Sequence, residues 1–251
     1  MISPKTIILL ITLLCMGFAL NATQDSKEGF AQDMSIDVPL GDGPFPCVII
    51  CPGRGYHKDL PLIKDLASQA MKAGFVAMRF NWSFFIDGTN PSSDGQKEMG
   101  DVERVLQYAK QVPQIDQNRI YLAGKSLGSL YAYAAFQEHP EVKGCLLLTP
   151  IIPDSTAGAD YYPGLQDEYR KLVFILGSED IYNCRLNSLY HYLAGSKVPI
   201  PVVVLAGGHS FNQAGESKDK TLLEIDEYNL QQAVNASLYW LKTFENPVYT
   251  E

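Results

Sequence analysis

Ile120-Tyr121-Leu122-Ala123-Gly124-Lys125-Ser126-Leu127-Gly128-Ser129 is an apolar run that breaks on a Gly-x-Ser-x-Gly pattern and continues as a helix-compatible stretch. It reads as strand, sharp turn, helix. A serine at such a turn takes a strained backbone conformation, so the residues two before and two after it must be nearly free of side chain; both are glycine. That geometry lifts Ser126 Oγ out of the sheet. The helix behind it points unpaired N–H groups and the positive end of its dipole at the place where an oxyanion would develop. A glycine-rich connection without any chemistry satisfies the same five residues, so the flanking chain has to decide.

Upstream, Cys47-Val48-Ile49-Ile50 is a continuous apolar run of the kind buried on both faces of a parallel sheet. It ends in Cys51-Pro52-Gly53-Arg54-Gly55-Tyr56, and Leu60, Ile63, Leu66, Ala67 and Met71 then mark a helix that stops at Gly74. Phe75 to Phe80 is a strand, Asn81 to Gly95 a polar, turn-rich loop, and Val102, Val105, Leu106 and Ala109 a helix stripe. Downstream, Gly144 to Thr149 and Leu172 to Gly177 are further buried strands, separated by Pro150 to Lys171, which has no periodic pattern and reads as a short flap. Leu186, Leu189, Tyr190 and Leu193 mark a helix, Pro199 to Leu205 the last strand, and Leu222 to Phe244 one long helix ended by Asn246-Pro247. Met34, Ile36 and Val38 alternate with Ser35 and Asp37 as a short edge strand. Strands alternating with helices predict a doubly wound, mostly parallel α/β sheet with helices on both faces. No repeat or linker divides residues 23–251, which are expected to form one domain.

Residues 1–22 are a different object. Lys5 is their one charge, Ile7 to Leu20 is uninterrupted by charge, and Asn21-Ala22-Thr23 turns polar. This is the pattern of a secretory signal peptide, with cleavage after Ala22 preferred. The run is short for a bilayer crossing, which needs about 20 residues, so an uncleaved anchor is the second reading. The expected location is secreted or periplasmic, with no stable membrane insertion once the signal is cut. The 251 residues are 46% hydrophobic and 19% charged, an ordinary globular balance. The formal charge of −8 becomes −9 without Lys5, and an acidic domain with no dense basic cluster excludes nucleic acid as a partner. Cys47, Cys51, Cys145 and Cys184 remain in the mature chain; export permits disulfides, but spacing does not assign pairs. No Cys/His spacing matches a zinc site, and neither metal nor cofactor is expected.

In an open α/β sheet the ligand lies outside the carboxyl ends of the strands. Ser126 follows one strand, Gly177-Ser178-Glu179-Asp180 a second, and Gly207-Gly208-His209-Ser210 the last. A serine, an acid and a histidine in that order, each directly after a strand, resemble the α/β-hydrolase superfamily, whose triad runs Ser, Asp or Glu, His. The resemblance covers essentially the whole mature chain. Small size and the lack of a large cap resemble the dienelactone-hydrolase-like and small serine-esterase branches. Dienelactone hydrolase itself uses a cysteine nucleophile, which this elbow lacks, so that specific activity is not implied.

The resemblance implies Ser126 as nucleophile, His209 as base and Asp180 as the acid that orients the imidazole. Glu179 and Asp154 are the competing acids. It also implies an oxyanion hole from the Leu127 N–H and an N–H of the loop Gly53-Arg54-Gly55, taken as Arg54, although Cys51-Pro52 stands where many relatives have a His-Gly start. Gly53, Gly55, Tyr56, Trp82 and Phe84 are candidate substrate contacts, with Phe85, Tyr161 and Tyr162 as further aromatic wall residues. His139 ends a helix, His191 sits among tyrosines on another, and His57 borders the early loop; none has a partner pattern for catalysis. The expected activity is a carboxylesterase working through an acyl-enzyme on a small ester. A peptidase or acyltransferase would use the same residues, and a non-catalytic binding protein the same fold.

Overall fold

Prolines, glycines and runs of β-branched residues decide where the strands start and stop. In the computed structural model, which describes residues 33–152, 161–180, 185–212 and 219–246, the elements are as follows. Strand β1 spans Met34–Asp37, β2 Phe45–Cys51, β3 Val76–Phe80, β4 Ile115–Lys125, β5 Val142–Leu148, β6 Lys171–Gly177 and β7 Val202–Leu205. Helices are α1 Pro61–Lys72, α2 Ser83–Ile86, α3 Gln96–Ala109, α4 Leu127–Glu138, α5 Leu186–Leu193 and α6 Lys220–Glu245, with a 3₁₀ turn at Leu165–Asp167. The signal-peptide reading of residues 1–22 lies outside the described residues; the compact unit is Ser35–Glu251.

The seven strands form one sheet in the order β1-β3-β2-β4-β5-β6-β7. All pairings from β3 through β7 are parallel, with Cys51 opposite Gly124, Lys125 opposite Leu148 and Gly177 opposite Leu205. Strand order reverses between β2 and β4. At such a switch point the loops leaving the two strands diverge to opposite faces and open a crevice, so the segment after Cys51 and the turn after Lys125 stand side by side.

Both faces are covered, as the continuous apolar strands require. On one, α1 and α6 bury Leu62, Ile63, Leu66, Val234, Leu241 and Phe244 against Val48, Ile50, Ala123, Leu146 and Val173. On the other, α3 and α4 pack against each other and against β2, β4 and β5. Pro61 opens α1, where its missing N–H costs nothing. Asp219 caps α6, accepting from Thr221 N (2.9 Å) and Leu222 N (3.3 Å). At the other end of α6 the Lys171 ammonium donates to the carbonyls of Phe244 and Asn246, where a cation suits the dipole.

Two of the differences from the sequence expectation have a direct physical reason. The last strand begins at Val202 rather than Pro199, because Pro199 and Pro201 have no N–H to give the ladder. The polar stretch 81–95 holds the short helix α2, and two acids of α3 fix it: Ser83 donates from N (2.8 Å) and Oγ (2.5 Å) to Asp101, and Ser92 donates from N (2.8 Å) and Oγ to Glu98. Both carboxylates are fully buried. The apolar stripe of α3 located the helix, but not the fact that these acids lie on its inward side.

Candidate active site

Ser126 stands between β4 and α4 with φ 53° and ψ −118°, a conformation costly for any residue with a side chain. Its flanking glycines are demanded by close approach of backbone. A Cβ on Gly124 would lie 2.3 Å from Gly128 O, and one on Gly128 would lie 2.3 Å from Cys51 O and 2.5 Å from Pro52 O. Hydrogen bonds hold the turn on all sides. Ser126 N donates to Leu148 O (2.9 Å), and Ser126 O accepts from Ser129 N (2.9 Å) and Ser129 Oγ (2.6 Å). Ser129 Oγ lies 3.0 Å from Tyr162 OH, which donates to Ile151 O (3.1 Å). Tyr162 is thus buried behind the elbow, while Tyr161 is partly exposed.

Asp180 and His209 leave the ends of β6 and β7, whose loops interlock through the backbone. Ser178 N donates to Leu205 O (2.7 Å) and Glu179 N to Gly207 O (2.9 Å). A Cβ on Gly177 would collide with Gly208 O at 2.3 Å. Phe211, fully buried, anchors the histidine loop in the core shared by α1 and α6. His209 Nδ1 lies 2.7 Å from Asp180 Oδ2, with the Asp180 side chain wholly shielded and that of His209 about a quarter exposed. An imidazole engaged through Nδ1 by a carboxylate is fixed in orientation and presents Nε2 as the basic nitrogen. Of the competing acids, Glu179 is exposed and Asp154 lies outside the described residues.

The loop after β2 closes a turn in which Tyr56 N donates to Gly53 O (3.2 Å). A Cβ on Gly53 would stand 3.2 Å from both Ser126 Cβ and Lys125 Cδ, so this loop lies directly against the serine. Among the described residues, neither the Leu127 N–H nor the Arg54 N–H is spent on a backbone carbonyl. The Arg54 side chain is exposed and donates to Asn90 Oδ1 (2.9 Å). Gly55 is open, with no atom near the position a Cβ would take. Trp82 and Phe84 stack with ring centroids 6.2 Å apart, both buried, and Trp82 Nε1 donates to Pro52 O (2.8 Å). They brace the loop from behind, and the aromatic on the accessible rim is Phe85, 5.8 Å from the His57 ring. His139 is engaged by Glu103 and Glu141 at the end of α4, and His191 is exposed on α5.

One residue that sequence reasoning passed over is Lys125. It is 3% exposed, with Nζ 4.9 Å from the centroid of the Tyr56 ring. Burial lowers its pKa to about 8, against an upward pull from Asp180. The signal was available: it is a cation flush with the end of an otherwise apolar strand. Strain also gathers here, since the non-glycine residues with positive φ among the described residues are Ser126, Thr149 and Phe211, all following strand ends at this edge of the sheet. Among the described residues, Thr149 Oγ1 is buried without a hydrogen-bond partner. Cys47, Cys51 and Cys145 are free and buried, and desolvation pushes each thiol up; Cys184 lies outside the described residues. Among the described residues no three His, Cys, Asp or Glu side chains gather as a metal site.

Residues 45–242 match the model of the alpha/beta hydrolase domain. The chain is 27% identical over 124 residues to Esterase EstD of Thermotoga maritima, a match covering 46% of this chain and 29% of that one. The chain therefore spans under a third of that relative. A sugar hydrolase of Lactococcus lactis superposes with a TM-score of 0.64 at 20% identity, covering 84% of this chain and 94% of its own. A lidless serine hydrolase of Xanthomonas campestris superposes at 0.57 and 18% identity, covering 81% and 88%. At these identities the superpositions speak for the fold.

Proposed function

The chain belongs to the alpha/beta hydrolase family, and from that premise we propose that it is a serine hydrolase, a carboxylesterase acting on small esters through Ser126, His209 and Asp180. The observation that carries the proposal is the 2.7 Å contact between His209 Nδ1 and the shielded Asp180 carboxylate, on loops that leave the ends of β6 and β7. A surface histidine has no need of a wholly buried acid.

In the proposed reaction Ser126 Oγ attacks the ester carbonyl carbon while His209 Nε2 takes its proton. The N–H groups of Leu127 and Arg54 receive the oxyanion. The imidazolium, stabilised by Asp180, returns the proton to the departing alcohol oxygen, leaving an acyl-serine. Water repeats the sequence from the other side, giving the carboxylic acid and free Ser126. The hydroxyl is activated by imidazole, so no cofactor enters these steps. The match to an esterase supports the ester class, and the apolar stretch at residues 7–20 supports action outside the cytoplasm.

A fluorophosphonate probe tests the assignment without knowledge of the natural ester. The expected result is one covalent label on Ser126, absent in Ser126→Ala and strongly slowed in His209→Ala, with parallel loss of chromogenic-ester cleavage. A folded protein that never labels at Ser126 refutes the proposal and favours a binding role for the same fold.

A further inference from the structure

β4 is buried without a break from Ile120 to its end, yet it ends on a cation. Tyr121 and Ala123 face the core shared by α1 and α6, and by the two-residue alternation of a strand Lys125 shares that face. Its side chain runs under Gly53, where a Cβ would come within 3.2 Å of Lys125 Cδ, and ends over the Tyr56 ring. Tyr56 in turn accepts at its hydroxyl from Leu62 N of α1 (3.4 Å). Among the described residues no acceptor hydrogen-bonds Lys125 Nζ. A largely desolvated lysine is an expensive group, and leucine or methionine would fill the space more cheaply. Two things offset the cost: the face of the Tyr56 ring and the negative charge of Asp180, which acts on the ammonium.

The partner that geometry gives Lys125, Tyr56, belongs to the loop that lies directly against Ser126. Tyr56 closes the turn that begins at Gly53 and holds Arg54; Asp180 holds His209. We infer that Lys125 is a positioning residue, an internal cationic tie that holds the Gly53–Tyr56 loop against the Ser126 turn. The inference rests on the serine-hydrolase reading of the same site. Lys125 acts through Tyr56 and the loop it closes rather than on the reacting atoms.

The charged and titratable groups around it can be named. From the loop after β2 it meets Tyr56, whose own ionisation is pushed up by burial and by Asp65 of α1, so Tyr56 stays neutral where Lys125 titrates. From the acid loop it feels Asp180, and His209 joins through its bond to that acid. Loss of the Lys125 proton near pH 8 therefore removes the tie in the wild type itself, without any mutation.

The test measures the fluorophosphonate labelling rate of Ser126 from pH 5 to 10 in wild type, Lys125→Met and Lys125→Arg, with circular dichroism confirming the fold at each pH. Wild type should lose rate about tenfold as pH rises through about 8. Lys125→Met should label about tenfold slower than wild type at pH 7, show no fall near pH 8, and keep a melting temperature at or above that of wild type. Lys125→Arg, which stays charged, should recover most of the rate at pH 7 and hold it through pH 10. Equal rates and identical profiles in wild type and Lys125→Met overturn the inference, as does a Lys125→Met protein that is slower only because it melts earlier. If Lys125→Met does not fold, an alkaline limb in Lys125→Arg like that of wild type overturns it. A wild type that folds but never labels overturns the hydrolase reading instead, so the two failures are distinct.

Discussion

Replacing Gly128 by alanine tests the packing that assembles the site. The added Cβ would lie 2.3 Å from Cys51 O and 2.5 Å from Pro52 O. Real Cβ contacts essentially never fall below 3.0 Å, so the start of α4 and the end of β2 must part by at least about 0.7 Å. Both partners are backbone, and β2 is pinned in register to β4 with Cys51 opposite Gly124, so the strain cannot drain into a flexible side chain. Overpacking of this kind costs about 1–3 kcal/mol. For a domain of this size each kcal/mol lowers Tm by about 2–4 °C. The displacement falls on the segment leading into Gly53 and Arg54, and misplacing catalytic groups by about 1 Å costs on the order of a hundredfold in rate. Gly128→Ala should therefore stay folded well below its Tm yet hydrolyse a chromogenic ester about a hundredfold more slowly, read as kcat/KM at 20 °C beside a melting curve followed by circular dichroism. A variant with wild-type kcat/KM would show that the contact between α4 and the end of β2 does not set the geometry of the serine and its oxyanion donors.

Asp180→Asn should keep the fold and lower kcat by about 10⁴, the scale of the corresponding serine-protease substitution; if Glu179→Gln or Asp154→Asn does this and Asp180→Asn stays active, the acid is misassigned. Asp219→Ala removes the cap of α6 and should cost about 1 kcal/mol, visible as a Tm lowered by a few degrees with kcat/KM unchanged. EDTA should leave ester hydrolysis unaltered, since the proposed nucleophile is a hydroxyl activated by imidazole; activity abolished by the chelator and restored by added metal would refute that mechanism. Lys125→Met should stabilise the fold. The lysine titrates at about 10.5 when unfolded and about 8 when folded, so below pH 8 the native state carries the full burial penalty, which is relieved between pH 8 and 10.5. At about 1.4 kcal/mol per unit the penalty is about 3 kcal/mol, of which the Tyr56 ring returns about 1–2 kcal/mol. The expected gain is a few degrees in Tm at pH 7, shrinking as pH rises to 10; a lower Tm at pH 7 contradicts it.

The fold was legible because its signals are local. Four runs, Cys47–Ile50, Phe75–Met78, Ile120–Ala123 and Leu172–Leu176, are apolar without alternation, and such runs suit strands covered on both faces. Ser126, Asp180 and His209 were legible through their order after strand ends. What escaped is what depends on packing between distant segments. Trp82 and Phe84 as aromatic loop residues suit an open wall or a buried brace equally, and only the bond from Trp82 Nε1 to Pro52 O decides for the brace. Glu98 and Asp101 look like solvated helix charges until Ser83 and Ser92 are seen to occupy them. Tyr162 lies 33 residues from Ser129 in sequence, and no pattern announces that their hydroxyls meet.

Lys125 differs from these cases, because it breaks the rule that makes its strand readable. Every residue from Ile120 to Gly124 agrees with a buried strand; the one after them does not, and the next residue is the strained serine. Where a sequence satisfies propensity, pattern and packing throughout an element and then violates them at one position, stability does not account for the residue and a function becomes the economical explanation. The same reasoning covers Thr149, one strand over, with φ 35° and a buried hydroxyl that meets no partner among the described residues. Ser126, Lys125 and Thr149 all sit where β4 and β5 end, so departures from good folding practice coincide with the place to which chain order alone assigns the chemistry. A site built for reaction is expected to be over-determined by its surroundings and locally uncomfortable. Here the surroundings are the collisions that forbid a Cβ at Gly124, Gly128 and Gly177, and the discomfort is carried by the residues between them.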